Sequence, residues 1–315
     1  MSIIPKNIYR TAPSLHPKLK KLYLNTEIQN PGWKIKFYND KDCIHFLENE
    51  FSKDNLDLRK KVLKSYNKLI PSAYKADLWR LCVIYEYGGV YSDASQIFKI
   101  PIDQIIDTTK EFCIIKDRDG NKQGKGAKAN LQGLQIALFS SVKKHPFLLK
   151  YIEHINMNVT NLNYGKSSLD ITGPHAAYRV AKENNFLNNI KILGQQITHD
   201  SYINNNGKEI IKKAKFHLDV VYGGRRAQHY DPLWRKKKIY KIDDENKSQQ
   251  KEKINSPLIK NQSNFKKNTA LNKKQTIIKK KNKIRRINNL NYNKNNKLIG
   301  YDDSSNYLFS FLKRK

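Results

Sequence analysis

Cysteine, acid and long apolar runs are what this chain has least of, and each shortage excludes something. Three of the 315 residues are cysteine: Cys43, Cys82 and Cys113. They are odd in number, far apart and set in apolar runs, with no Cys-x-x-Cys. That argues for reduced, buried thiols and against a disulfide framework or a cysteine-built zinc site. No apolar run approaches the ~18 residues of a membrane-spanning helix. The opening Met-Ser-Ile-Ile-Pro-Lys has no apolar stretch of signal-peptide length. The cytoplasm is therefore the expected compartment, and the Asn-x-Ser/Thr triplets at Asn158, Asn246 and Asn261 read as chance matches in an Asn-rich chain. No Gly-x-x-x-x-Gly-Lys-Ser/Thr can be aligned, which excludes a P-loop.

The acid shortage is uneven. The chain has 28 Asp and Glu against 60 Lys and Arg, a formal charge of +32. Residues 246–315 hold 19 Lys and Arg against 3 Asp and Glu, half of the net charge in under a quarter of the length. This segment is rich in Lys, Asn and Gln and poor in large apolar residues, the composition of a disordered tail. Its cluster Lys279–Arg286 suits nucleic acid or an anionic membrane surface, but no aromatics are interleaved for base stacking. A plainly solvated tail is the alternative. The stretch Tyr307–Leu312 is apolar enough to dock onto the domain or a partner. The expected organisation is one folded domain over 1–245 and a disordered basic tail over 246–315.

Within the domain, hydrophobic period alternates between helix and strand. Ile3–Thr11 reads as a buried first strand. His16–Asn30 reads as a helix with Leu15, Leu19, Leu22 and Tyr23 spaced for burial, broken by Pro31-Gly32. Trp33–Tyr38 alternates as a strand, and Asn39-Asp40 can cap a helix from Lys41 to Phe51. Asp54–Leu69 reads as helical. Glu111–Lys116, Leu134–Ser140 and Phe216–Tyr222 read as strands, and His145 opens a helix to about Asn156. This βαβ rhythm predicts an α/β fold. Asp117–Asn130 is a loop by composition, either a mobile loop beside a site or an ordinary solvated one.

The stretch Ala73–Pro101 organises the rest. Leu78, Leu81, Cys82 and Tyr85 form one apolar helical stripe, while Asp77 and Arg80 stand one turn apart on a neighbouring face. Gly88-Gly89 ends the helix. A short strand, Gly89–Ser92, then delivers Asp93 at its end. On an arbitrary helix Asp77 and Arg80 would simply pair on a solvated face. With the Gly-Gly-Val-Tyr-Ser-Asp continuation they become candidates for chemistry.

This combination resembles glycosyltransferase family 32, the sugar-transferases with an Asp-x-Asp signature. Members read roughly Lys-Ala/Ser-Asp-x-x-Arg, then Tyr-x-x-Gly-Gly-x-Tyr-x-Asp-x-Asp. Lys75, Asp77, Arg80, Tyr85, Gly88, Gly89, Tyr91 and Asp93 match, and Ser95 stands where the second acid is expected. The opening Ile-Pro-Lys-Asn-Ile-Tyr-Arg-Thr is similar to the family's first strand. Asp170-Ile-Thr-Gly-Pro-His175 is similar to its Thr-Gly-Pro at the head of an acceptor-side helix.

The resemblance implies a nucleotide-sugar transferase fold of the GT-A type, a single mixed central sheet flanked by helices. It implies transfer of a sugar from a nucleotide-diphosphate donor to a glycan, protein or lipid hydroxyl, with retention at the anomeric carbon. Asp77, Arg80 and Asp93 are the implied catalytic residues. Thr11, Tyr91 and Ser92 join them around the donor, and Asp170, Thr172 and Gly173 face the acceptor. Arg225 and Arg226 are implied phosphate holders. A divalent cation, Mn2+ or Mg2+, is implied to offset the leaving diphosphate. Its implied ligands are Asp93, Ser95 and His229. A hydroxyl is a far weaker cation ligand than a carboxylate, so weak metal affinity is expected. A catalytically inactive nucleotide-sugar binder, and a nucleic-acid binder acting through the tail, are the alternatives.

Overall fold

Asn7–Thr11 (β1) is apolar on both faces, which places it inside. Ile8 joins a cluster with Trp33, Val90 and Phe98, whereas Tyr9 joins another with Phe46, Trp79 and Tyr91. Successive strand side chains point to opposite faces, so this strand needs cover on both sides. In the computed structural model, residues 3–118, 132–215 and 229–241 are described. They belong to one compact unit, Met1–Lys241, and the second unit, Ile242–Lys315, lies outside the described residues. The basic cluster Lys279–Arg286, the strand expected at Phe216–Tyr222, and Arg225 and Arg226 lie outside them too.

The other strands are Lys34–Tyr38 (β2), Gly89–Ser92 (β3), Gln96–Phe98 (β4), Phe112–Lys116 (β5), Leu134–Ser141 (β6), Lys191–Gln196 (β7), Ser201–Asn204 (β8) and Glu209–Lys213 (β9). They form one sheet in the order β2-β1-β3-β6-β5-β7-β8-β9-β4. β2, β1 and β3 run parallel, as do β5 and β7; the remaining pairs are antiparallel. The helices are Pro17–Gln29 (α1), Asp40–Asn49 (α2), Leu56–Lys68 (α3), Ser72–Tyr87 (α4), Pro146–Thr160 (α5), Pro174–Glu183 (α6) and Tyr230–Arg235 (α7). This is the expected single mixed sheet flanked by helices. No helix among the described residues is long and apolar enough to cross a membrane.

The sheet must curl. β4 follows β3 after a three-residue turn, yet it pairs with β9 at the far end of the strand order. Six strand spacings would separate them by roughly 29 Å in a flat sheet. The chain from Ser92 to Gln96 spans at most about 14 Å. The β7-β8-β9 segment therefore folds back toward the end of β3, and the turn Asp93–Ser95 is caught between the two parts of the sheet. Ser95 O accepts from Ala214 N, just after β9, at 2.8 Å.

Local chemistry sets the boundaries near the site. Asn39 and Asp42 form a capping box at the start of α2. Gly88 ends α4 at φ 67°, and Gly89 follows at φ 106°. A Cβ on Gly89 would lie 2.8 Å from Asn7 O, so the glycine both turns the chain and lets β3 lie against β1. The apolar stripe expected on α4 is wider than its spacing suggests. Leu78 through Tyr85 are all buried, because the sheet covers one side and α3 and α5 pack on the other.

Candidate active site

Asp77, Arg80 and Asp93 meet where α4 crosses the end of β3. Arg80 Nη2 lies 3.2 Å from Asp77 Oδ1, and its Nη1 lies 3.2 Å from Asp93 Oδ1. The same guanidinium donates to Ile136 O at 3.0 Å and Ala76 O at 3.3 Å, and it sits over the Tyr91 ring at 4.3 Å. The side chains of Arg80 and Asp77 are 9% and 14% exposed, against 27% for Asp93. The pair is thus not on a solvated face; it is a buried bridge with Asp93 as its open end. Burial works against Arg80's charge, but Tyr91, Asp93 and Asp77 outweigh it and raise the pKa. Burial also lifts the Asp77 carboxyl to about 6, against the pull of Arg80 and Thr172.

The segment after β3 is a tight turn pinned from several sides. Asp93 N donates to Ala137 O on β6, and Gln96 N donates back to Asp93 O at 3.0 Å. Tyr91 OH donates to Asp93 Oδ1 at 3.1 Å, which orients that carboxylate. Ser92, named for the donor, is fully buried and donates to Gln96 Oε1 at 2.8 Å, so its hydroxyl fastens the turn. Arg10 on β1 was not singled out in the sequence. It is fully buried and donates to Gln96 O at 2.9 Å and Ala94 O at 3.3 Å. A charged residue next to the buried Ile8-Tyr9 pair of the strand is the signal that could have found it.

The Asp170–His175 motif, expected on the acceptor side, reaches the same place through Thr172. Thr172 Oγ1 donates to Asp77 Oδ2 at 2.7 Å. Tyr151 on α5 fixes the backbone here by donating to the carbonyls of Thr172 and Gly173. Gly173 caps α6, and a Cβ on it would lie 3.1 Å from Leu169 O. Asp170 instead holds its own loop: Oδ1 accepts from Arg179 at 2.7 Å and Oδ2 from Lys166 N at 2.8 Å.

A second polar cluster lies beside Thr172, built from Asp117, which the sequence placed at the start of a loop, and His175, to which the sequence assigned no role. Asp117, at the end of β5, is buried, and burial pushes its carboxyl upward. Gln135 Nε2 donates to it at 3.3 Å, and Gly133 packs so close that a Cβ would lie 2.9 Å from Asp117 Oδ2. His175, in the first turn of α6, shares a 2.7 Å hydrogen bond with Ser167. Burial holds its imidazole below the usual histidine range.

The remaining named residues sit apart from this network. Thr11 Oγ1 meets Cys43 Sγ at 3.3 Å. His229 is exposed, caps α7 through its contact with Asp231 N, and stacks on Tyr230. Among the described residues no group of three or more His, Cys, Asp and Glu is placed to hold a metal ion. Asp93 has one oxygen engaged by Arg80 and Tyr91, and Ser95 brings no charge. The side chains present do not by themselves fit a divalent cation.

The family described as "Glycosyltransferase sugar-binding region containing DXD motif" matches residues 7–112, from β1 to the start of β5. The "Initiation-specific alpha-1,6-mannosyltransferase" of Candida albicans (strain SC5314 / ATCC MYA-2876) is 30% identical over 122 residues, which is 37% of this chain and 30% of the relative. The match thus spans less than a third of that relative's length. Among solved structures, "PaToxG Glycosyltransferase" superposes with a TM-score of 0.41 at 18% identity, over 57% of this chain and 70% of the other. The UDP-bound glycosyltransferase domain from the YGT toxin gives 0.42 at 10% identity, over 66% and 84%. Residues 7–112 are thus similar to the glycosyltransferase sugar-binding region that carries the DXD motif, with Asp93-Ala94-Ser95 at the end of β3 inside the matched segment.

Proposed function

We propose that this chain transfers a sugar from a nucleotide-diphosphate donor to a hydroxyl of a glycan, protein or lipid. The observation that carries the reading is the Asp77–Arg80–Asp93 bridge at the end of β3, inside the matched segment. Asp93, the exposed end of the bridge, accepts hydrogen bonds from donor hydroxyls. Asp77 and Arg80 set its position and charge, and Thr172 ties them to the acceptor-side helix. Retention at the anomeric carbon follows from the family resemblance, with the leaving phosphate taking the acceptor's proton. The relative named for mannosyl transfer puts hexosyl donors first. Residues 1–245 are the catalytic domain in this reading, and 246–315 are an appended basic tail.

Ser95 favours a second reading, a nucleotide-sugar binder without turnover. One experiment separates the two. The full chain is incubated with UDP- and GDP-sugars, with and without Mn2+, and nucleotide release is recorded. Release from one donor that disappears in Asp93→Asn supports the transferase. Binding of a donor without release selects the inactive binder. Neither binding nor release removes both readings.

A further inference from the structure

Arg10 has an unusual position for a charged group. It is fully buried, yet its hydrogen bonds among the described residues run to the carbonyls of Ala94 and Gln96, not to a carboxylate. Its Nε and Nη2 have no partner at hydrogen-bonding geometry. The Tyr23 ring lies 4.8 Å and the Phe98 ring 5.5 Å from the guanidinium carbon. A buried ion normally finds a counter-ion or shifts toward neutrality. Burial does lower the Arg10 pKa, and Tyr23, Tyr91 and Asp93 pull it back up, but arginine stays protonated in proteins. Arg10 therefore places a fixed positive charge directly beneath the turn Asp93-Ala94-Ser95.

The charges around the turn then cancel. Asp77 and Asp93 contribute two negative charges, and Arg80 and Arg10 two positive ones. A divalent cation binds oxygen clusters that carry net negative charge, and its repulsion from a buried guanidinium scales with its double charge. Ser95 removes the carboxylate that would tip the balance. Resting on the transferase reading, we propose that this chain binds the diphosphate of its donor without a divalent cation, Arg10 supplying from beneath the turn the positive charge that a metal would supply from above. Arg10 is a positioning residue: it touches the turn, not the donor. Asp93, neutralised in place by Arg80 and Arg10, is left to accept hydrogen bonds from hydroxyls.

The test is calorimetric titration of the full chain with UDP and with GDP, in EDTA and in excess Mn2+. The expected result is that one nucleotide binds with a Kd that changes less than about threefold between the two buffers. Ser95→Asp leaves Arg10 untouched and makes the turn net negative, so Mn2+ then tightens binding by about tenfold or more. Arg10→Met removes the buried charge and weakens binding in EDTA by about tenfold, with Mn2+ restoring it. Ser95→Asp alone carries the test if Arg10→Met does not fold. A native chain whose binding needs Mn2+, or a Ser95→Asp chain indifferent to it, overturns the proposal while leaving the transferase reading intact. Failure of both nucleotides to bind in both buffers removes that reading and this proposal with it.

Discussion

Asp77 was assigned to the donor and Asp170 to the acceptor side, and the fold treats the two carboxylates differently. Asp77 stands on a helix pressed against the sheet, one oxygen on Arg80 and the other on Thr172. Asp170 stands in a loop, and its oxygens are used up by Arg179 and the backbone of Lys166. Around Asp77 the ion pair continues to a partly exposed carboxylate, Asp93. Around Asp170 it continues to the Asp170 carbonyl and to His154, both part of the same scaffold. One carboxylate is wired toward Asp93 at the end of β3. The other shapes the loop that delivers Thr172.

The largest effect that tests this contrast is loss of the two arginines. Arg80→Ala leaves Asp77 and Asp93 without their counter-ion in a buried site, which costs about 3–5 kcal/mol of folding stability. Arg179 is 29% exposed, so water replaces part of what it gives Asp170. Arg179→Ala is expected to cost about 1–3 kcal/mol. Urea unfolding measures both, and donor binding should vanish with Arg80→Ala but weaken modestly with Arg179→Ala. Equal losses of binding would erase the distinction between the two regions.

pH gives the next effect. The folded-state pKa of Asp77 is about 6, above the ordinary carboxyl value of 3.8. The native state therefore holds this proton more tightly than the unfolded chain. Its contribution to stability is full below the unfolded pKa and is lost as pH rises through about 6, a change of ~2–3 kcal/mol. Donor binding runs the other way, because ionised Asp77 is what pairs with Arg80. Binding should rise with pH through about 6 while the stability of the native chain relative to Asp77→Asn falls over the same interval. A ratio independent of pH would mean that Asp77 is not the buried titrating group.

Much of the donor half could be read from the sequence because its contacts are local. Asp77 and Arg80 are an i,i+3 pair, Gly88 and Gly89 mark the helix end, and Tyr91 and Asp93 share one strand face. β1, β2 and their helices were placed by period and breakers, although β1 begins at Asn7 rather than Ile3, and Leu15, spaced for burial, is exposed. What stayed hidden depends on distant partners. β4 is three residues long and β8 four, too short for alternation to register, and their pairing is set by the curl of the sheet. Arg10 sits between Tyr9 and Thr11 with nothing local to show its role, which depends on a turn 84 residues away. Ser92 and Thr172 were read as groups facing ligands, since a hydroxyl in a motif does not reveal which neighbour it bonds.

Thr172 is the joint between the two regions, and it yields the smallest effect and the sharpest test. Its hydroxyl crosses 95 positions of sequence to Asp77 Oδ2. Thr172→Val keeps the shape and removes that donor, leaving one oxygen of a buried carboxylate unpaired. A hydrogen bond to a charged group contributes about 1.5–3 kcal/mol, and Asp77 retains Arg80, so a stability loss near the lower end is expected. The carboxylate also loses a group that favours its charged form, so the pH at which donor binding rises should move upward from about 6. A double-mutant cycle of Thr172→Val with Asp77→Asn isolates the bond, and a coupling of about 1 kcal/mol or more is expected for residues in contact. A coupling near zero would mean that the acceptor-side loop merely rests against α4. A clear coupling would mean that ordering the loop around Asp170 and setting the charge at Asp77 are one event, which is how a site assembled from two distant segments keeps donor and acceptor in register.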